Sequence, residues 1–546
     1  MISIHDYAAG LLVNPDRGSP LRFQGYEFLR QPLEDQAQRM VIQKSAQVGA
    51  TVLATIRALW FVDVRRAHSL YLFPTHRSAL RFSRGRFRVL LERSPYLRGQ
   101  FRQVRTDNHL RSGIVNFYCH GARSRTELMS TPVQYLTIDE RDEMYLGRPD
   151  GPQPWSAVEL ARQRLGGQAR AWELNISTPT IPEYGVAAEF ARSDQQHYHP
   201  LCPYCGRLVR LTWPEALTLV PRRGCQSGSA EMLRDPASEE RLPVRRLGRW
   251  RAAFRCPRCR RAWTDQARRW AVGRGRWLAD RPERMLRGYH FSQLISPVQT
   301  AERLLRQWWE AQGKPVKLQV FFNAVLGLPY VWEGSRLDPQ WVEEAQARGG
   351  HLMAASSAGS VMGVDIGPTW FHAVVAEPVG EMLRLVWVGL VRDWRHLAEV
   401  VRRYRVRSYV LDAMPETHPA RDFLRSFGQG WLCWYVGAGR RVAVDPNART
   451  VHAPRTDTLD AMMLRWRLGR VLAPRDLPRD FVAQLTSLVR VVRVGRMGEA
   501  SAEYVAAGPD HYAHALNYCE LALRLLPRRP RFEIVAPNVG TPAWQR

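Results

Sequence analysis

The 546-residue chain predicts an α/β protein with two strand–helix blocks and a cysteine-rich insertion between them. Three observations predict it. Short apolar, β-rich runs alternate with helical stretches from Val41 to Thr180, a pattern that builds a largely parallel sheet with helices on both faces. Two Cys-x-x-Cys pairs, Cys202/Cys205 and Cys256/Cys259, fall in an Arg- and Trp-rich stretch from about Gln195 to Arg287. A second strand–helix alternation opens at Val361, after a loop rich in Gly, Ala and Ser (Gly349 to Ser360), and runs to about Leu526.

Taken in order, the opening segment Ile2 to Gln36 is mixed in character and docks either on the first domain or on a partner. Val41-Ile42 starts a strand that leads to a turn at Gly49, and Thr51 to Val64 reads as a helix. Ser69 to Phe73 is a strand stopped by Pro74. Val133 to Ile138 is a strand ending in Asp139-Glu140, and Leu174 to Ile176 is a strand ending in Ser177-Thr178-Pro179. Helical patterning returns at Ala301 to Gly313 and Leu318 to Leu326. The last twenty residues are Pro- and Arg-rich and read as a tail.

Composition narrows the function. Lys+Arg total 79 against 51 Asp+Glu, a formal charge of +28, for which polyanions are the natural partners. An anionic membrane surface competes, but neither end carries an amphipathic basic helix or a lipidation signal. No apolar run is long enough to span a bilayer, and Met1 to Gly10 lacks the apolar core of a secretory signal. Eight cysteines are too sparse for a disulfide framework, so the Cys-x-x-Cys pairs read as a metal site.

Three constellations carry chemistry. The first is Gln43-Lys-Ser-Ala-Gln-Val-Gly-Ala-Thr51, between a strand and a helix, where a phosphate-binding loop belongs. Gly49 and Thr51 fit the second glycine and the Mg²⁺ hydroxyl of that loop, while Ala50 stands at the usual lysine and Lys44 at the first glycine. Lys44 is one of only three lysines, with Lys314 and Lys317, in an arginine-saturated chain. Asp139 and Glu140 suit a Mg²⁺-organising acid and a water-activating base, and Ser177-Thr178 suits a γ-phosphate sensor. All of these fall at strand carboxyl ends, where parallel sheets hold ligands.

The second constellation is acidic. Asp365 lies within a strand, Asp412 at the end of another, and Asp510 with His514 at the start of a late helix, four residues apart on one face. Carboxylates converging at strand ends suit paired Mg²⁺ or Mn²⁺ ions for phosphodiester displacement. Asp510 also reads as a helix cap, and Asp457 and Asp460 are rival third acids. The third constellation is a zinc ribbon, with Cys202, Cys205, Cys256 and Cys259 as a closed four-thiolate site. A basic insertion from about Pro221 to Gly248 accounts for its long spacing. His197, His199 and Cys225 are substitute ligands, and Cys119, Cys433 and Cys519 read as buried thiols.

In combination these residues resemble the large terminase subunit of tailed bacteriophages, in the lambda-type branch with an internal zinc ribbon. The resemblance rests on Lys44-Ser-Ala-Gln-Val-Gly49, Phe73-Pro-Thr75 with Phe82-Ser-Arg84, Thr131-Pro-Val with Ile138-Asp-Glu140, and Ile176-Ser-Thr-Pro-Thr180. It continues through Cys202-Pro-Tyr-Cys-Gly206, Gly288-Tyr-His-Phe-Ser292 before Ser296-Pro297, and Phe322-Asn-Ala-Val-Leu-Gly-Leu-Pro329. It implies a P-loop-type ATPase with a parallel sheet, a zinc-ribbon insertion and an RNase H-like nuclease domain. The expected boundaries are 1–348 for the ATPase, holding the ribbon at 196–287 and a linker subdomain at 288–348. A linker at 349–360, the nuclease at 361–526 and the tail at 527–546 follow.

The resemblance also implies function: ATP-driven translocation of double-stranded DNA into a procapsid and metal-dependent cutting of concatemeric DNA. ATP and Mg²⁺ would be held by Lys44, Ser45, Ala46, Gln47, Val48, Gly49, Ala50, Thr51 and Asp139, with Gln24 reading adenine and Glu140 as the catalytic base. Ser177 and Thr178 would couple hydrolysis to movement. Arg84 and Arg86 are candidates for an arginine acting in trans, with Arg81, Arg123 and Arg125 also open. Asp365, Asp412 and Asp510 would be the nuclease acids on Mg²⁺ or Mn²⁺, with His514 where many relatives carry a second acid. Zn²⁺, a portal protein, a small terminase subunit and other copies of the chain, in a homo-oligomeric ring when packaging with a monomer in solution as the alternative, complete the expected partners. The expected location is the host cytoplasm and, transiently, the procapsid portal, with no membrane. The rivals are a zinc-ribbon DNA helicase or remodeller, which would replace the acids by a second motor lobe, and a portal adaptor with degenerate sites.

Overall fold

The computed structural model describes residues 2–14, 18–103, 108–123, 128–129, 132–144, 156–221, 250–356, 358–437, 440–494 and 500–526. The expected tail, most of the basic insertion, Cys225 and Arg125 lie outside the described residues. The chain forms two compact units, Met1–Arg336 with Ser487–Pro509, and Leu337–Thr486 with Asp510–Arg546.

A ten-stranded sheet forms the first unit. From one edge its order is Arg276–Ala279, Gln196–His199, Arg287–Phe291, Arg39–Lys44, Trp172–Ser177, Tyr135–Asp139, Ser69–Phe73, Val115–Gly121, His109–Ser112, Arg102–Gln103. The central strands are parallel, with Gln43 beside Ser177 and Ile138 beside Asn175. Antiparallel pairs occur only at the margins. Ser69–Phe73 and Tyr135–Asp139 are buried at every position, as strands covered by helices on both faces must be. The helix Ala50–Asp63 starts directly after Gly49, whose φ of 84° is left-handed, and is buried from Leu53 to Val62. A Cβ on Gly49 would sit 2.9 Å from Leu29 Cδ1, so the turn requires glycine on two counts.

The opening segment docks on this unit. Arg57, fully buried in the first long helix, donates to the carbonyls of Pro32, Leu33 and Asp35 at 3.1, 2.7 and 2.7 Å. Trp60 Nε1 donates to Ile2 O. The cysteine-rich stretch forms a three-stranded antiparallel sheet of Leu217–Pro221, Trp250–Arg255 and Ala262–Trp263. It shares an apolar core with the helix Ala301–Ala311. The second predicted helix, 318–326, divides into Pro315–Val320 and a wider π turn, Phe321–Leu326, which ends at left-handed Gly327.

The second unit is an eight-stranded mixed sheet in the order Ala443–Asp445, Thr450–Pro454, Gly430–Val436, Val406–Asp412, Ser360–Ile366, Phe371–Val379, Met382–Val391, Val471–Leu472. The helix His511–Arg524 crosses the Ser360–Ile366 strand at Gly363, where a Cβ would fall 2.0 Å from Ala515 O.

Both units depart from the sequence boundaries at their edges. The helix Pro339–Arg348 lies in the second unit, where Ala345 O accepts from Ala473 N. The hairpin Leu488–Val494/Ala500–Ala506 lies in the first, where Arg490 N bonds Ser335 O at 2.6 Å. Neither segment carries a local signal of this: each is an amphipathic element whose partner is distant in sequence. No helix among the described residues is long and apolar enough to cross a membrane.

Candidate active sites

The phosphate loop is fixed from below. The Ser45 amide donates to Phe291 O and the Ala46 amide to Ala324 O, both at 2.7 Å. Gln43 Nε2 donates to Gly327 O at 2.8 Å, and Gln293 Nε2 to Ala46 O at 2.9 Å. The first two loop amides are thus committed to protein. The amides of Ala50, Thr51 and Val52 are the intrinsically unpaired donors of a helix start, suited to a phosphate.

Above the loop, Lys44 Nζ sits 2.8 Å from Glu140 Oε1 and 3.4 Å from Thr178 Oγ1. Lys44 is only 6% exposed. Burial disfavours its charge, but Glu140 and Asp139 more than offset that, and its pKa is raised. Asp139 is 2% exposed and accepts from Tyr71 Oη at 2.9 Å. Burial, then the adjacent Glu140 carboxylate, push it up to about 7 against the pull of Lys44. Its other oxygen, Oδ1, is buried with no hydrogen-bond partner, as is the Ser45 hydroxyl. An orphaned carboxylate oxygen beside a phosphate loop fits a cation that supplies the missing partner. Glu140 is itself left-handed, with φ 54°, which turns its side chain from the strand axis toward Lys44.

Sequence reasoning passed over Asp142. It is 1% exposed and accepts from the amides of Thr180 (3.0 Å) and Val186 (2.8 Å), while its own amide donates to Ser177 Oγ (3.1 Å). The turn after Asp139-Glu140 is thereby tied to the Ser177–Thr180 segment. Gly185 is forced by this contact, since a Cβ there would overlap the Asp142 carboxylate at 2.2 Å. Asn323 Nδ2 closes the same circuit, donating to Thr180 O at 2.9 Å and Leu328 O at 2.8 Å. Gln24 is exposed in a turn two residues before Tyr26, whose ring lies near Gly49. Arg81, Arg84, Arg86 and Arg123 are all exposed.

In the second unit Ser360–Ile366 and Val406–Asp412 pair in parallel with Val364 beside Leu411, so Asp365 and Asp412 stand at the next step, side by side. Asp510 stands at the N-cap position of the helix laid over these strands. Its carboxylate faces His514 Nε2 at 3.1 Å and Arg455 Nη2 at 3.6 Å. His514 is fully buried, and its other ring nitrogen meets Tyr435 Oη at 2.9 Å. Both of its nitrogens thus face protein, which suits orienting Asp510 more than ligating an ion. The imidazole at the acids is His511, with Nδ1 3.0 Å from Asp365 Oδ2 and its ring stacked on His372 at 4.6 Å. The i, i+4 spacing had pointed to His514 alone; adjacency to Asp510 was the available signal for His511. Asp457 is exposed on the Arg455–Arg467 helix, whereas Asp510 is buried.

Cys202, Cys205, Cys256 and Cys259 bring their four Sγ atoms within 4.8 Å of one another, with Cys202–Cys259 at 3.8 Å and Cys205–Cys256 at 4.0 Å. A tetrahedral ion with Zn–S bonds of about 2.3 Å needs sulfurs about 3.8 Å apart, so the set fits zinc. Pro221 pairs with Trp250 across the Leu217–Pro221 and Trp250–Arg255 strands. His197 is not needed: it meets His290 and Arg210 instead, and burial, then His290, lower it to about 2. Cys119, Cys433 and Cys519 are buried free thiols.

Fold and candidate sites together define a two-part protein: an α/β unit with a loop and helix start suited to a phosphate, and a second α/β unit with acids at adjacent strand ends. Residues 26–277 match the family described as phage terminase large subunit gpA, ATPase domain, and residues 286–377 match terminase large subunit gpA, endonuclease domain. The second match includes Asp365 and stops short of Asp412 and Asp510. The chain is 25% identical over 332 residues to the terminase large subunit of Enterobacteria phage P21, covering 54% of this chain and 47% of that protein. It therefore spans about half the length of that curated relative. The crystal structure of the HK97 bacteriophage large terminase shares the fold, with a TM-score of 0.52 at 12% identity, over 94% of this chain and 98% of that one. The two domain matches, in this order on one chain, together with the P21 relative, support a phage terminase large subunit.

Proposed function

We propose that the chain is a DNA-packaging motor subunit of the lambda-type, zinc-ribbon branch, which drives double-stranded DNA into a procapsid with ATP and cuts concatemeric DNA with metal-bound carboxylates. The observation that carries this reading is the cluster at the phosphate loop, with buried Lys44 Nζ 2.8 Å from Glu140 Oε1 beside a buried Asp139 oxygen that lacks a partner. Lys44 binds phosphate as a compact charge, and a γ-phosphate arriving there competes with Glu140 for the ammonium. Glu140, released from that pair, orients water and accepts its proton. Asp139 and the Thr51 hydroxyl would hold Mg²⁺, which when bound neutralises charge on the phosphate oxygens. Ser45 to Ala50 line the phosphates, with Gln24 on the adenine side. Ser177 and Thr178 pass the state of the site to the Asp142 circuit.

In the second unit Asp365, Asp412 and Asp510 would hold Mg²⁺ or Mn²⁺, with His514 fixing Asp510; such ions stabilise the attacking and leaving oxygens of a cut phosphodiester. Structural zinc on the four thiolates holds the ribbon. The domain roles follow the two units, with the nuclease acids in the second. A portal protein, a small terminase subunit, a ring of copies with Arg84 or Arg86 acting in trans, and a cytoplasmic location at the portal complete the proposal. Its test is the full chain assayed for DNA-stimulated ATP hydrolysis and Mn²⁺-dependent plasmid nicking. Both activities are expected; a pure protein with neither would leave the adaptor reading.

A further inference from the structure

The hairpin Leu488–Val494/Ala500–Ala506 comes from late in the chain, yet packs with the ATPase residues of the first unit. Val489, Val491 and Val505 share an apolar cluster with Ile181, in the segment that follows Ser177-Thr178, and with Tyr184 and Val331. The Arg490 amide bonds Ser335 O at 2.6 Å, and the Gln319 side chain pairs with both backbone groups of Val492 at 3.3 Å. These anchors hold the hairpin without help from one cation of its first strand.

That cation is Arg493. Its Nη2 donates to Asp142 O at 3.1 Å, its Nη1 pairs with Glu143 Oε1, and its Nε pairs with Glu503 of the opposite strand. Asp142 and Glu143 are the last two residues of a single 3₁₀ turn, Arg141–Glu143, whose N-cap is Glu140. Glu143 N bonds back to Glu140 O at 3.0 Å. Arg493 thus satisfies a terminal carbonyl of this turn and places a positive charge at its carboxyl end, where one is favoured. A three-residue turn is short for a self-supporting element, and its N-cap, Glu140, is strained in the left-handed region. The turn is therefore held from outside: by Lys44 on the Glu140 side chain, by the Thr180 and Val186 amides on the Asp142 carboxylate, and by Arg493 on the Asp142 carbonyl and the Glu143 side chain.

We propose that Arg493 is a positioning residue of the ATPase site, which fixes the 140–143 turn so that the Glu140 carboxylate stays aimed at the phosphate loop. This rests on the ATPase reading and adds that the motor domain is incomplete without the 487–509 segment. Misplacing a catalytic group lowers turnover more than substrate binding, since the nucleotide contacts of Lys44 and the loop are untouched.

The experiment uses the full chain, wild type and Lys44→Ala, Arg493→Gln, Arg493→Lys and Glu143→Gln, with steady-state ATPase kinetics and fluorescent-nucleotide affinity. Hydrolysis by the wild type that Lys44→Ala abolishes establishes the ATPase reading on which the rest depends. Arg493→Gln should then lower kcat roughly tenfold with KM within about twofold, and Arg493→Lys should recover part of it, since lysine keeps the charge but not the fork. Glu143→Gln should lose kcat in the same way, and the double variant should lose less than the product of the two. If Arg493→Gln fails to fold, Glu143→Gln alone decides. Unchanged kcat, a loss confined to KM, or fully additive losses would overturn the proposal while leaving the ATPase reading intact.

Discussion

Gly327 offers the sharpest structural perturbation. It has φ 70°, and a Cβ on it would lie 2.6 Å from Phe291 O and 2.8 Å from Ser45 N. Both atoms are backbone, and they are the two partners of the 2.7 Å bond that seats the phosphate loop. Gly327→Ala therefore carries two costs. The left-handed conformation costs alanine about 1 kcal/mol. Forcing a methyl group into close-packed backbone adds roughly 1–3 kcal/mol. The second cost is met by moving Ser45, so it falls on the nucleotide site. Gly334→Ala is the matched control: φ is 80°, but the nearest atom to its Cβ is Trp332 Cζ3 at 3.7 Å. It should carry the conformational cost alone. Denaturant unfolding compared between the pair, with ATP hydrolysis at saturating nucleotide, checks this. Gly327→Ala should be less stable than the control and lose at least about tenfold in turnover. Equal stability and equal turnover in the two variants would refute the idea that the 321–327 turn seats the loop.

Lys44→Ala should abolish ATP hydrolysis with the fold intact, and Lys44→Arg should be nearly as poor, because a planar guanidinium does not replace a compact ammonium; near-normal turnover in both would mean that the loop lysine is misassigned. Glu140→Gln should bind ATP and fail to hydrolyse it, and lost binding would argue against its role as base. The purified protein should contain about one zinc per chain, and chelation should unfold the ribbon more than either catalytic site; metal analysis without zinc in unchelated protein would remove the ribbon. His514→Ala should cost cleavage roughly ten- to a hundredfold by freeing Asp510, while His514→Gln keeps a bond to it and most of the activity. Wild-type cleavage by His514→Ala would take that residue out of the site.

Much of this was legible because strand ends are marked in sequence. Lys44, Asp139, Glu140 and Ser177 each close an apolar run, and a parallel sheet brings such ends to one edge. Asp365 and Asp412 were readable for the same reason. What could not be read are contacts made across sequence by groups without a motif. Asp142 acts through backbone amides 38 and 44 residues away. Gly327 is defined by carbonyls and amides that any residue type provides. The late hairpin carries no mark that assigns it to the first unit, because its valines find partners as distant as Ile181 and Val331, and Arg493 finds Asp142, 351 residues away. His511 was overshadowed by a spacing rule that correctly paired Asp510 with His514 but did not rank the two imidazoles by what they face.

The most direct test crosses the two sites in one full-length protein. Lys44→Ala and Asp365→Ala are assayed side by side for DNA-stimulated ATP hydrolysis and for Mn²⁺-dependent plasmid nicking, in preparations free of host nucleases. Two independent sites predict that Lys44→Ala loses hydrolysis and still nicks, and that Asp365→Ala hydrolyses ATP normally and does not nick. Normal nicking by Asp365→Ala, or normal hydrolysis by Lys44→Ala, would contradict the account.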